Sequence, residues 1–487
     1  MARRVRRWVT AWITVSTGTM AVAEQTTASS PRKIGSEPQL FLDDYVVDRM
    51  EGLKRKVHHP TRLPEPILDS RRFKTFQPYL SVLYDDRMTR YRIWYNGHDG
   101  TPGLYHAESK DGIHWENPRK LDLSVTYSCS VVDDGPRETH PERRYKLIYW
   151  HQSGPRPRGI YVAFSSDGLA WTAHPENPVL EAYGEDAAHT QRHHVGDIVD
   201  AYYDPIRKCY GAALKLPAVP EDRYPPGPKA GHIFRRLVGM SESRDFVRWS
   251  KPWRIFVPDE KDEGLLEFYG MGGIHLRGSL YIGFVRALRD DLPCDEGGPK
   301  DGIGYTVLAT SRDGVTWNRY REAFFDRNPA KGSWDHAMTW VSAVLPMGDE
   351  VYLYYGGYAR GHKIEATRER QLGLAKLRKD GYVSLSAGDG GGRLLTPPLV
   401  FAGARLRLNV DVATGGEVRV GVLAVDGKDA PGFSISDCER LVGRGTAQTV
   451  SWKSGSDVSV LAGKPVRLRF ELRSADLYAF QFQASEQ

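Results

Sequence analysis

Residues 302–317 read GIGYTVLATSRDGVTW. Alternating β-branched and aromatic residues over 305–310 suit a strand, Ser311-Arg312-Asp313-Gly314 suits a tight turn, and a second strand opens at Trp317. The Asp side chain can bond the backbone two residues on, and Gly supplies a positive φ. The turn recurs. Ser109-Lys110-Asp111-Gly112 precedes Trp115, and Ser165-Ser166-Asp167-Gly168 precedes Trp171. Ser243-Arg244-Asp245 precedes Trp249 with Phe246 where Gly stood, and Arg378-Lys379-Asp380-Gly381 is a degenerate copy without Trp.

Upstream of each turn stand a strand, an acidic or glycine turn, and a second, mostly Tyr-rich strand. The pairs are 79–84 with 91–96, 128–132 with 145–150, 198–203 with 209–214, 271–275 with 280–285, and 338–345 with 351–356. Copies spaced at roughly 50–80 residues match radial repetition of small antiparallel sheets. The expected fold is all-β, a five-bladed β-propeller over residues 38–392. A large irregular sandwich is the weaker reading, since sandwiches rarely repeat one turn sequence. Asp111, Asp167, Asp245 and Asp313 are read as turn formers, and the tryptophans that follow them as packing between blades.

The character changes after Gly388-Asp389-Gly390-Gly391-Gly392. Residues 405–411, 417–423 and 466–472 alternate apolar and polar with period two, which predicts a C-terminal β-sandwich over 393–487.

At the other end, residues 1–7 are basic, 8–20 mostly apolar, and Ala21-Val22-Ala23 has the form of a cleavage site. Residues 1–23 are read as a signal peptide and 24–37 as a linker, so the protein is expected to be exported, to the periplasm or beyond. The apolar run is far short of the roughly 20 residues a membrane span needs. The four arginines of that leader carry most of the net charge of +6, and without them it is +2. Charge therefore gives no reason to expect nucleic-acid or membrane partners. The four cysteines, Cys129, Cys209, Cys294 and Cys438, form no CxxC pair and are expected to be free, partly buried thiols.

In a propeller the innermost strands begin at one mouth, so the polar residues that open each copy are the candidates for chemistry. Copy three offers His193-His194-Val195-Gly196-Asp197, with Asp200 beyond; copy four offers Glu267 before Phe268-Tyr269; copy five offers Trp334-Asp335-His336. Copies one and two offer neutral Gln77, and Tyr127 or Ser128. An extra strand is expected over 40–47, with Asp43 and Asp44 inside an apolar run. Ionised groups there are costly unless paired or functional. Carboxylates from three strands meeting at one mouth suit glycosidic chemistry: an acid on the leaving oxygen, a nucleophile or base, and a group that supports the cationic transition state.

The Leu40-Phe41-Leu42-Asp43-Asp44-Tyr45 start, the repeated S-x-D-G-x-x-W turn and the C-terminal sandwich resemble the five-bladed glycoside hydrolases of the invertase, levanase and arabinanase type, and family-32-like bacterial proteins. The resemblance implies Asp43 or Asp44 as nucleophile or base, Asp197 as transition-state stabiliser and Glu267 as acid. The fructosidase signature Asn-Asp-Pro-Asn-Gly is absent, so no sugar is named.

The expected function is glycoside hydrolysis of an oligo- or polysaccharide, with His194, Tyr269, Arg286, Trp334, Asp335 and His336 as substrate-binding residues. Two alternatives stay open. One is a carbohydrate-binding propeller without catalysis. The other is a polysaccharide lyase, which would draw a His or Tyr base and a cation from His193, His194, Tyr269, His336 and Arg286. No cofactor is expected. A structural Ca2+ stays open, and Asp335 with His336 is too small a ligand set to name a metal.

Overall fold

The computed structural model describes residues 30–68, 78–152, 157–183, 193–218, 235–364 and 369–484. The leader 1–23 and Gln77 lie outside the described residues. Among the described residues the fold is all-β, in several sheets with no closed barrel.

Each repeat is an antiparallel meander. The first sheet runs Leu80–Asp85, Arg90–Asp99, Thr101–Ser109, Trp115–Lys120. The second runs Tyr127–Asp133, Tyr145–His151, Gly159–Ser165, Thr172–Ala173, with Leu180–Glu181 added at its edge. The third runs Val199–Asp204, Cys209–Pro217, Arg236–Ser243, Trp253–Phe256. The fourth runs Leu266–Arg277, Leu280–Arg289, Ile303–Ser311, Asn318–Arg319, and the fifth Met338–Met347, Glu350–Tyr358, Arg370–Arg378. A single parallel bridge, Gly304 to Met338, joins these last two. The outer strand of the fifth sheet comes from the other end of the chain: Thr61–Arg62 pairs with Lys376 and Ala375.

The opening strands neighbour one another in sequence order, and that of the fifth sheet returns to that of the first. They crowd where they meet, and small residues make room. A Cβ on Gly272 would stand 2.4 Å from the Arg286 guanidinium and 3.1 Å from the Ser342 carbonyl. No side chain fits there without moving the arginine.

The repeated turn has the expected chemistry. Asp313 Oδ1 accepts from the Val315 and Thr316 amides at 2.8 and 2.7 Å, and Ser311 Oγ accepts from the Gly314 amide at 2.9 Å. The same bonds hold Asp111, Asp167 and Asp245. Gly112, Gly168 and Gly314 sit at φ of 71–74°, and Phe246 takes the same left-handed conformation at 66°.

Every turn also reaches back to a neighbouring sheet. Trp94 of the first sheet donates to the Gly168 carbonyl at 2.7 Å, Arg143 to that of Asp245 at 3.1 Å, and Trp253 to that of Val315 at 3.3 Å. Tyr354 of the fifth sheet donates to Gly112 at 2.8 Å. The degenerate fifth copy uses charge instead: Arg277 grips both oxygens of Asp380 at 2.6 and 2.8 Å.

The remaining strands form a ten-stranded sheet. Its long members, Arg405–Ala424 and Val466–Gln483, pair along most of their length, with a register shift between Val412 and Glu417. Their alternating apolar faces, with Leu406, Leu408, Val418, Val420, Leu468 and Phe470, build one buried core. Segments outside the expected 393–487 join this sheet. Arg32–Gly35, inside the expected linker, pairs with Leu399–Phe401, and Lys54–Val57 pairs with Val383–Ala387. The expected strand over 40–47 is corrected. Only Gln39–Leu40 is extended, paired with Phe480 and Ala479, and the chain then bends because the Asp43 side chain bonds the Tyr45 amide at 3.1 Å. An Asp that satisfies its own backbone in this way competes with the ladder. The four cysteines are free and buried.

Candidate functional site

Where the opening strands begin, the side chains of several sheets converge on Tyr269. Lys215, at the end of the second strand of the third sheet, holds its ammonium 4.5 Å from the centre of the Tyr269 ring and pairs with Asp197. Arg236, opening the third strand of that sheet, lies 5.0 Å from the same ring. Trp340 of the fifth sheet stacks on it at 4.9 Å, and His362 meets it edge-on at 5.0 Å. Burial pushes the Tyr269 phenol up despite the two cations at its side. Burial also opposes the Lys215 charge, but Asp197 and Tyr269 more than reverse it and hold the ammonium above its ordinary range.

Behind this ring stand two fully buried carboxylates. Glu267 accepts from the Arg236 amide at 2.9 Å and from its guanidinium at 3.0 Å. Asp290 lies 3.7 Å from the same guanidinium and 3.5 Å from His362 Nδ1. Burial, with Arg236 and Arg370 adding to it, brings His362 down to about 4 against the pull of Asp290. Of the three carboxylates here, Asp197 alone has an appreciably exposed side chain, at 30%.

Deeper in the channel Arg286 is fully buried. It binds Asp200 with two bonds, at 2.8 and 3.0 Å, donates to the Val341 carbonyl, and covers the Tyr79 ring at 5.2 Å. Burial raises the Asp200 carboxyl, and Arg286 offsets only part of that. This pair ties the third, fourth and fifth sheets together. Arg286, expected among the substrate-binding residues, is thus buried with donors engaged by Asp200, Val341 and Ser342.

The structure brings Asp197, Glu267, Tyr269 and His194 to one end of the ring. His194 lies near Asp197 in the chain, with Nε2 3.5 Å from Glu181, and its ring meets that of His193 at 4.9 Å. Burial and His194 together lower His193.

Asp43 and Asp44 do not join them. Asp43 is bound by Arg312, next to Ser311, which pairs with Tyr281; Glu267 pairs with Leu288 on the same strand. Seven residues of strand separate the two points, which is about 23 Å at the usual rise. Asp44 pairs with Arg55 and is largely exposed. The expected triad of Asp43 or Asp44 with Asp197 and Glu267 is therefore not assembled, because the segment that carries the first two is drawn into the ten-stranded sheet.

Trp334 and Asp335 serve closure. Asp335 is fully buried and meets Arg62 at 3.3 Å, Tyr355 at 2.9 Å and Asn328 at 2.9 Å; Trp334 stacks on Tyr355 at 5.5 Å and donates to the Pro64 carbonyl at 3.0 Å. These two residues, expected to bind substrate, fasten the N-terminal strand to the fifth sheet. His336 Nδ1 lies 2.8 Å from the Asn328 carbonyl, and Nε2 3.2 Å from Asp295.

Lys215, Arg236, Asp290, Tyr79 and His362 were not picked out by the sequence. For Lys215 a signal existed: it is the one charged residue in CYGAALKLP, a strand buried along its whole length. For the others the contacts cross between sheets, and no spacing in the chain announces them.

No family model matches the chain. Two uncharacterized proteins of Mycobacterium tuberculosis, from strains ATCC 25618 / H37Rv and CDC 1551 / Oshkosh, are 29% identical to it over 89 residues. That stretch is 17% of this chain and 29% of the length of each relative. Among solved structures, a glycoside hydrolase aligns at 16% identity and a TM-score of 0.44, covering 66% of this chain and 92% of the other. A glycosyl hydrolase from Bacteroides ovatus aligns at 16% and 0.41, covering 70% and 97%. An N-acetylgalactosamine deacetylase from F. plautii aligns at 16% and 0.42, covering 68% and 97%. The named activities differ, and each belongs to the protein that carries it.

Proposed function

We propose that the protein is an exported glycoside hydrolase acting on an oligo- or polysaccharide, its five repeats the blades of a propeller and its substrate site the end of the ring where Tyr269 stands. One observation carries the reading: Asp197, a partly exposed carboxylate, stands at the opening of an inner strand beside an aromatic and cationic wall made by Lys215, Tyr269 and Arg236. Apolar ring faces with a few convergent polar groups suit a sugar, and the carboxylate suits attack at, or proton transfer to, a glycosidic centre. Glu267, bonded by Arg236, is taken as the second acid of the pair. The leader-like residues 1–23 support export.

A second reading is carbohydrate binding without cleavage. The burial of Glu267 and Asp290 favours it, since a glycosidase pairs two reachable carboxyl groups roughly 5–9.5 Å apart. A panel of plant and algal glycans with product analysis separates the two. New reducing ends that disappear with Asp197→Asn support hydrolysis. Saturable binding without products, weakened by Tyr269→Ala, supports the second reading. Products carrying an unsaturated uronate would overturn both in favour of elimination.

A further inference from the structure

Among the described residues, Cys294, Asp295 and His336 bring one ligand atom each to within 4.8 Å of one another. Cys294 and Asp295 lie in the connection after Leu280–Arg289, and His336 just ahead of Met338–Met347. We propose that these three side chains form a transition-metal site selective for Zn2+, which clamps two connections at the mouth of the ring.

The geometry of His336 carries the argument. Its Nδ1 is 2.8 Å from the Asn328 carbonyl oxygen, so that nitrogen donates a proton, and in the neutral ring Nε2 keeps a lone pair. Nε2 in turn lies 3.2 Å from an oxygen of Asp295. Two acceptors at that distance repel unless a cation or a proton stands between them. The sulfur of Cys294 completes the set. A thiolate, a carboxylate and a neutral imidazole carry two negative charges, which balances a divalent ion.

The donors also choose the metal. Sulfur and nitrogen suit Zn2+, whereas Ca2+ takes six to eight oxygens. The supports are in place: the Cys294 amide donates to Asp301 at 2.8 Å, and Arg327 donates to the Cys294 carbonyl at 2.7 Å. Cys294 and His336 are buried, but the Asp295 side chain is 43% exposed, so solvent reaches the site from that side and supplies a fourth ligand. Lys331, 3.6 Å from Asp295 and largely exposed, is free to swing away. Binding releases the thiol proton of Cys294. Cys294 packs in the same buried cluster as Tyr269, Trp340 and Tyr358, so a metal here would brace one wall of the mouth. The inference stands whether or not the protein cleaves glycans.

The test is titration of the chelator-treated full chain with Co2+, read by its visible bands and by the near-ultraviolet thiolate-to-cobalt transition. One equivalent should bind, with the thiolate transition present, and Zn2+ should displace it. Cys294→Ser should abolish that transition. Asp295→Asn changes an exposed side chain and should leave the fold intact while weakening Co2+ binding at least roughly 100-fold, the upper end of the effect of losing a mere supporting partner. Absence of stoichiometric binding, a thiolate transition that survives Cys294→Ser, or unchanged affinity in Asp295→Asn would each overturn the proposal and leave a shared proton as the occupant.

Discussion

Asp43 and Arg312 form a two-pronged ion pair, at 2.7 and 2.8 Å, that fastens the N-terminal segment to the turn ending the third strand of the fourth sheet. This fixes Asp43 at the far end of that sheet from Glu267, so a residue read as a catalytic carboxylate is a fastening. Asp44, with a side chain 76% exposed, is a surface charge. Asp44→Asn should change stability by no more than about 0.5 kcal/mol and leave the proposed glycan cleavage unaltered. Loss of cleavage in that variant with the fold retained would return Asp44 to the catalytic set.

Glu267 and Arg236 make the opposite case. Glu267 is fully buried, and removing it leaves Arg236 with Asp290 at 3.7 Å as its remaining carboxylate, so the loss is capped by the roughly 3–5 kcal/mol of an uncompensated buried charge. Glu267→Leu should therefore lower the unfolding free energy measured by chemical denaturation by up to that amount. A variant that keeps wild-type stability would show that the pair contributes little to the fold, and one that keeps any glycan cleavage would remove Glu267 from the proposed acid pair.

Phe246, at φ of 66°, occupies the turn position that glycine holds in the four other copies. The left-handed conformation costs about 1–2 kcal/mol for such a residue. The Phe246 ring is fully buried and meets Phe164, Tyr210 and Trp249, and deleting such a ring costs about 3–5 kcal/mol. Burial of the ring therefore outweighs the backbone strain. Phe246→Gly should destabilise by about 2 kcal/mol in urea denaturation, the difference between those effects. A stabilised variant would reverse that ranking.

His106 is buried against Arg92, whose Nε donates to its Nε2 at 3.2 Å. Burial, with Arg92 and Arg119 adding to it, lowers the imidazole to about 3. Between about 6.5 and 3 the unfolded chain takes up a proton that the folded one refuses. Stability present above pH 6.5 is therefore lost on acidification, at up to roughly 1.4 kcal/mol per pH unit. His106→Gln should flatten the slope of stability against pH in that window. An unchanged slope would place the acid sensitivity elsewhere.

Much of the architecture is written locally. Asp313 with Val315 and Thr316, and Ser311 with Gly314, close their turn with bonds that span two or three residues, so each copy could be read from a handful of positions. The same locality misled at Asp43. An apolar run read as a strand bends there because its own side chain bonds the Tyr45 amide. Residues 32–35 read as linker for a related reason: the pairing of Arg32–Gly35 with Leu399–Phe401 depends on a partner more than 350 residues later in the chain.

The chain alone determined the repeating unit, the turns that close it and the period-two strands of the last domain, because those depend on dihedral preference and alternation over a few residues. Tertiary structure alone decided that Lys215, Arg236 and Trp340 surround Tyr269, that Asp200 neutralises Arg286, and that Asp43 stands away from all of them. Those neighbours come from different sheets. Their meeting is set by how whole sheets pack, and burial then makes each charge find a partner across the gap.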